Sequence, residues 1–208
     1  MQRQILSRHT FRTILLLSCL IIATSIANAA VTVGKPAADF TAVDSNGKQH
    51  ILSQYKGKTV VLEWTNHDCP YVRKHYGSNN MQSLQKEATD AGIVWLSIIS
   101  SATGKQGHVS ASQANELTQS RNAYPTAVIL DEKGDIGRLY AAKTTPHMYI
   151  IDKTGKLVYM GGIDSIPSSN PADIPAASPY IKTALKSLAE GKPITDNVTR
   201  PYGCSVKY

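Results

Sequence analysis

Cysteine is scarce in this chain of 208 residues: there are three, Cys19, Cys69 and Cys204, and Val72 stands where a Cys-x-x-Cys pair starting at Cys69 would place its second thiol. A disulfide closed within one helical turn is therefore excluded. Runs of like charge are missing too. Lysines are scattered from Lys35 through Lys86 and onward, so the net charge of +7 reads as a solvated surface and argues against a nucleic-acid footprint. The strongest apolar run, Ile14 to Ile22, is too short for a comfortable membrane span.

What is present begins with a leader. Arg3, Arg8 and Arg12 precede that apolar run with no acid among them, and Ala27-Asn28-Ala29 closes it, the pattern of a secretory signal peptide cut after Ala29. Removal of residues 1–29 is thus expected to leave an exported, periplasmic chain without stable membrane insertion, its net charge reduced to +4. Lipoprotein processing at Cys19 is a weaker rival, because the apolar core continues beyond it through Ile22. Cleavage removes Cys19 and leaves Cys69 and Cys204. In an oxidising compartment these two are readily paired, whatever their separation in sequence.

The whole chain is read in three parts: a leader at 1–29, a domain at 30–193 and a tail at 194–208 that carries Cys204. Partial alternation over 37–44, the turn Ser45-Asn46-Gly47-Lys48 and a return through Ile51 predict an N-terminal hairpin. Thr59–Trp64 and Ile93–Ile99 are apolar almost throughout, as strands covered on both faces are, and a broken helix from Pro70 to Ala91 joins them as a parallel crossover. A helix with weak caps is expected over 110–122, a strand over 126–130, a short helix near 136–141, and an antiparallel hairpin over 148–160. Residues 163–180 read as a proline-rich loop and 180–189 as a last amphipathic helix. The fold class is α/β, a central mixed sheet flanked by helices with an N-terminal hairpin extension.

Chemistry concentrates at Asn66-His67-Asp68-Cys69-Pro70-Tyr71-Val72. Proline suits the first position of a helix, so Cys69 sits where a strand hands over to a helix N-terminus. There the dipole favours an anion, and Arg73, Lys74 and His75 are expected to add positive charge, with Asp68 opposing them. His67, His147 and His75 are candidate proton shuttles or cations, with exposed, uninvolved side chains as the plain alternative. Trp64 and Tyr71 are expected to pack, Tyr71 with the option of lining a substrate groove. The motif calls for no cofactor and no resident metal. A soft-metal carrier using Cys69, His67, His147 and Cys204 is a remote option.

The strand, the Cys-Pro helix start, the crossover and a later Thr145-Pro146 before a hairpin resemble the thioredoxin superfamily, in particular its redoxin branch. Gly34-Lys35-Pro36, Asp39-Phe40, Gly57-Lys58 and Asp152-Lys153-Thr154-Gly155 look like redoxin landmarks. The pairing of Asn66–Pro70 with Tyr202-Gly203-Cys204-Ser205 is similar to exported peroxiredoxin-like proteins. The resemblance implies a thioredoxin-like fold, Cys69 as nucleophile, and a cis Pro146 facing it, with the Thr145 backbone free to pair with an extended substrate. Peroxiredoxins carry a threonine and an arginine where this chain, on that resemblance, has Asn66 and Pro146.

Three functions stay open on these grounds. One is thiol-disulfide exchange, with Cys204 resolving a mixed disulfide on Cys69. Another is thiol peroxidase chemistry with a hydroperoxide. The third is a non-catalytic binding protein with a structural Cys69 to Cys204 bond. The expected partners are a protein or small-molecule disulfide or a hydroperoxide, together with an external thiol reductant, and no nucleic acid.

Overall fold

A computed structural model describes residues 31–208. The leader at 1–29 and Cys19 lie outside the described residues. The chain enters through an antiparallel hairpin, β1 (Thr41–Val43) and β2 (Gln49–Ile51). Its turn is fastened by the Asp44 carboxylate, which accepts from the Asn46 and Lys48 amides at 2.8 and 2.9 Å.

The main sheet is built from β3 (Val60–Trp64), β4 (Val94–Ile99), β5 (Ala127–Leu130), β7 (His147–Ile151) and β8 (Leu157–Gly161), in the order β5-β4-β3-β7-β8. β3, β4 and β5 run parallel, whereas β7 pairs antiparallel with β3 and with β8. The sheet is therefore mixed, with the strand that leads to Cys69 at its centre.

Between β3 and β4 the chain passes through α1 (Pro70–Gly77) and α2 (Asn80–Asp90), separated by Asn79 in the left-handed conformation at φ 60°. α3 (Ala111–Ser120) and α4 (Asp135–Leu139) flank β5, and α5 (Tyr180–Ala189) follows the hairpin. α3 is better capped than its sequence promised. The Ser110 hydroxyl accepts from the Gln113 amide while the Gln113 side chain accepts from the Ser110 amide, a reciprocal box. Within the proline-rich 163–180 segment a 3-10 turn forms at Pro171–Ala176, started by the Asn170 side chain accepting from the Ala172 amide.

Strand alternation divides the core into two layers. Val60, Leu62 and Trp64 pack with Leu96, Ile98, Tyr149 and Tyr140 on one face. Val61 joins Trp95, Met148, Ile150, Tyr159 and the inward residues of α1, α2 and α5 on the other, where Cys69 also packs. Each such aliphatic side chain stabilises by about 1.5–3 kcal/mol on burial, and a one-residue slip of β3 would reverse every one of them.

Glu63 is the exception in β3. It is fully buried, and its carboxylate accepts from the Tyr76 hydroxyl, Gln85, Trp95 Nε1 and Ser97 Oγ at 2.8–3.0 Å. A carboxylate with four donors is tolerable inside the domain. This one ties both crossover helices and β4 to the central strand.

The tail returns across the molecule as a strap. Asn197 and Thr199 pair with Met160 at the β8 edge, and β9 (Cys204–Ser205) pairs antiparallel with β6 (Thr144–Thr145). Lys207 O then accepts from the Ala102 amide, and the Tyr208 hydroxyl donates to Ala142 O at 2.8 Å, with Arg138 over its ring.

Candidate active site

Cys69 caps α1 in extended conformation, with Pro70 at the first helical position. Its side chain has no solvent exposure. The Val72 amide faces the sulfur without the geometry of a full capping bond. Across the site the Thr145–Pro146 peptide bond is cis, and Thr145 O lies 3.0 Å from Cys69 Sγ as acceptor for the thiol proton. The Thr145 hydroxyl, buried and without any other partner, is turned to the same sulfur.

The backbone edge of Thr145 is already occupied. β9 pairs Cys204 with Thr145 and packs it against the layer that holds Cys69. Gly203 makes the approach possible: a Cβ there would fall 2.0 Å from Thr145 O, and its φ of 137° is one that L side chains rarely adopt. Both cysteines are free thiols. Cys69, Thr145, Pro146 and Cys204 therefore form one cluster, joined from three places in the sequence.

Charge at the two sulfurs is distributed unequally. Burial disfavours the Cys69 thiolate, yet donation from Cys204, the Val72 amide and Thr145 outweighs it and holds the pKa below that of an ordinary thiol. Burial pushes Cys204 the other way, and so does the donation of its proton to Cys69, to about 11, with Lys207 only partly offsetting. Cys69 is thus the more acidic thiol of the two and Cys204 the weaker acid.

The cationic support expected from α1 is engaged elsewhere. Arg73 is exposed and paired with Asp68 at 3.0 Å, which also removes much of the opposition expected from that carboxylate. Lys74 and His75 are buried, not exposed. Lys74 Nζ donates to Asp164 and to Ile166 O at 3.3 and 3.1 Å and reaches the Tyr202 hydroxyl at 3.5 Å. His75 is held below its ordinary pKa, at about 4, chiefly by burial, so it is neutral near pH 7. Its Nδ1 accepts from Asn80 and its Nε2 faces the Tyr202 hydroxyl at 3.2 Å.

His147 is turned away from the sulfur. His147 shares the face of β7 with Tyr149, opposite to the face on which Met148 packs beside Cys69. Its Nδ1 accepts from the Lys143 amide, and burial lowers its pKa to about 3. A strand's period of two decides this, because Pro146 and Met148 take the inward face. His67 sits 3.5 Å from Asp68 and borders a groove with Arg73, Leu117 and Arg121, while the groups bonded to the Cys69 sulfur come from Val72, Thr145 and Cys204. Asn66 bonds the Asp68 amide and Gln106 O. Among the described residues no three His, Cys, Asp or Glu side chains gather as a metal set.

Tyr202 is a site residue that sequence reading did not single out. Its hydroxyl donates to Asp164 at 2.5 Å and receives Lys74 and His75, while its ring meets Tyr71 edge-on at 5.9 Å. This buried cluster moors the strap two residues before Cys204. The adjoining Tyr-Gly-Cys-Ser motif was its one visible signal. Trp64 is fully buried and donates to Ser100 Oγ at 3.0 Å.

A cysteine at a helix N-terminus, opposite a cis-proline on a mixed five-stranded sheet, defines a thiol-dependent oxidoreductase of thioredoxin-like fold. Residues 33–160 match the AhpC/TSA family, and the chain belongs to it, as a redoxin of the thioredoxin superfamily. It is 29% identical over 135 residues to a thiol-disulfide oxidoreductase ResA of Geobacillus kaustophilus, covering 62% of this chain and 68% of that protein. It is 28% identical over 152 residues to a probable phospholipid hydroperoxide glutathione peroxidase of Solanum lycopersicum, covering 65% and 89%. Its fold is similar to the crystal structure of an uncharacterized conserved protein from Geobacillus kaustophilus, with a TM-score of 0.72, 24% identity, and coverage of 86% and 94%.

Proposed function

We propose that the protein is an exported thiol-disulfide oxidoreductase. In this reading Cys69 attacks a substrate disulfide as thiolate, and Cys204 resolves the resulting mixed disulfide by forming a Cys69–Cys204 bond. An external thiol then resets the pair. The observation that carries the reading is the strand register that sets Cys204 opposite Thr145, whose carbonyl oxygen lies 3.0 Å from the Cys69 sulfur beside the cis-proline. It stations the second thiol within reach of the first. Export rests on the leader at 1–29, and among the described residues no helix is long and apolar enough to cross a membrane.

A peroxidase reading is favoured by one feature. Cys69 has no exposed surface under the strap, so a small hydroperoxide needs a smaller opening to reach it than a protein disulfide does. Against it, Asn66 and Pro146 replace the groups that resemblance would require.

The experiment is thiol counting under oxidising and reducing conditions, followed by turnover assays on a protein disulfide and on a hydroperoxide. Two thiols lost together on oxidation, with disulfide reduction abolished in Cys69→Ser, is the expected result. Fast peroxide consumption that depends on Cys69 would instead favour the peroxidase. Thiols that never pair under oxidation would overturn the resolving role of Cys204.

A further inference from the structure

We infer that the reducing thiol that resets the oxidised protein attacks the sulfur of Cys204 and not that of Cys69, so that the mixed disulfide with the reductant forms on the tail. This rests on the proposed Cys69–Cys204 bond and adds to it the direction in which that bond is opened.

The first ground is access. Cys69 is wholly enclosed between α1, the cis-proline loop and the strap, whereas Cys204 is partly exposed on a two-residue strand at the surface. Cys204 packs against the layer that holds Cys69 and is paired with Thr145, whose oxygen touches the Cys69 sulfur, so a bond between the two cysteines needs only a small displacement and keeps that order of exposure.

A second ground is docking. An extended partner adds as a strand only to a free backbone edge, and here the edge beside Cys69, Thr144 and Thr145, is already paired with Ser205 and Cys204. Gly203 lies so tightly on Thr145 O that no second chain fits between them. On the outer side the strap borders an open groove of about 400 Å³, lined by Thr144, Pro167, Arg200, Pro201 and Gly203. It reaches the tail at Gly203, the residue before Cys204, whereas Cys69 has no exposed surface.

Leaving-group chemistry points the same way. Thiol exchange proceeds faster when the departing sulfur is the better-stabilised thiolate. Attack on Cys204 expels Cys69, which keeps its donors from the Val72 amide and Thr145. Attack on Cys69 would have to expel Cys204, the weaker acid of the two.

The step balances as follows. The incoming thiolate bonds to Cys204 Sγ, the Cys69–Cys204 bond breaks, and its electron pair leaves on Cys69 as thiolate. A second equivalent of reductant thiolate attacks the mixed disulfide at the reductant's own sulfur and expels Cys204, which takes up a proton. The two reductant molecules depart joined as their disulfide.

The test uses the wild-type protein, oxidised and shown by thiol counting to have lost both thiols. Glutathione is added, the reaction is quenched in acid at early times, freed thiols are alkylated, and peptides are mapped by mass spectrometry. The expected result is glutathione on Cys204 with the alkyl label on Cys69, in excess over the reverse adduct by about tenfold or more. Equal adducts, or glutathione mainly on Cys69, would overturn the inference and leave the disulfide cycle standing. Failure of the two thiols to pair at the first stage would overturn both.

Discussion

Cys69 and Cys204 meet at one point but are held there by different kinds of structure. Cys69 is placed locally, by a strand buried on both faces, an extended residue and a proline-started helix, all within a few residues of it. Cys204 is placed by a strap whose fastenings lie on β8, α1, the loop after β8, β6 and α4. The local arrangement supplies the anion-stabilising amide of Val72, while the remote one supplies the second thiol and the lid. What differs between them is how they can fail. The Cys69 side is as stable as the central sheet, whereas the Cys204 side depends on a few polar contacts that a single change can loosen.

Acid should separate the two most strongly. His75 stays neutral in the fold down to about pH 4 and His147 to about pH 3, because burial opposes their charging, whereas both take up a proton near pH 6.5 once unfolded. The unfolded chain therefore binds more protons through that interval. Stability is complete above about pH 6.5 and falls as the pH drops, by on the order of 3 kcal/mol for each histidine by pH 4.5. Urea unfolding at pH 7 and pH 4.5 measures this, and equal midpoints would contradict the buried, neutral assignment.

Gly203→Ala attacks the junction itself. The new Cβ cannot share space with Thr145 O, so β9 should part from β6 while the main sheet stays intact. Alkylation of Cys69 by iodoacetamide should rise about thirtyfold, the signature of a lid opened locally. An unchanged rate would mean that something other than the strap encloses the thiol.

Tyr202→Phe is gentler, removing the hydroxyl shared by Asp164, Lys74 and His75 and weakening the mooring by about 1–2 kcal/mol. The equilibrium between the Cys69–Cys204 disulfide and glutathione should shift about tenfold toward the dithiol. Loss of global stability with no shift in that equilibrium would show that Tyr202 packs without positioning Cys204.

The smallest effect is expected far from the site. Ser110→Ala removes the α3 capping box and should cost about 1 kcal/mol of global stability. Cys69 alkylation should not change, and any change would show that the two thiols respond to global stability and not to the strap.

Much of this was legible along the chain, for identifiable reasons. Val60–Trp64 and Val94–Ile99 announce buried strands because a strand covered on both faces has no place for a polar alternate, and Pro70 marks a helix start because its ring removes an amide that needed no partner. The histidines were not legible. Whether His75 is a surface cation or a buried neutral ring depends on Tyr202, far along the chain, and His147 is turned from the sulfur by the phase of β7. Glu63 likewise reads as a flaw in an apolar strand until the donors from Tyr76, Gln85, Trp95 and Ser97 are assembled around it.

The sequence by itself determined the order of the elements, the position of Cys69 at the end of a central strand, and the absence of a local second thiol at Val72. These are properties of periodicity and of neighbouring residues, which the chain carries wherever it folds. Only the tertiary structure decided that Cys204 lies on Cys69, that the tail covers the edge of Thr145, and that Lys74, His75 and Asp164 moor Tyr202. Those contacts join residues remote in sequence, and their energies exist only once the sheet has brought their backbones together.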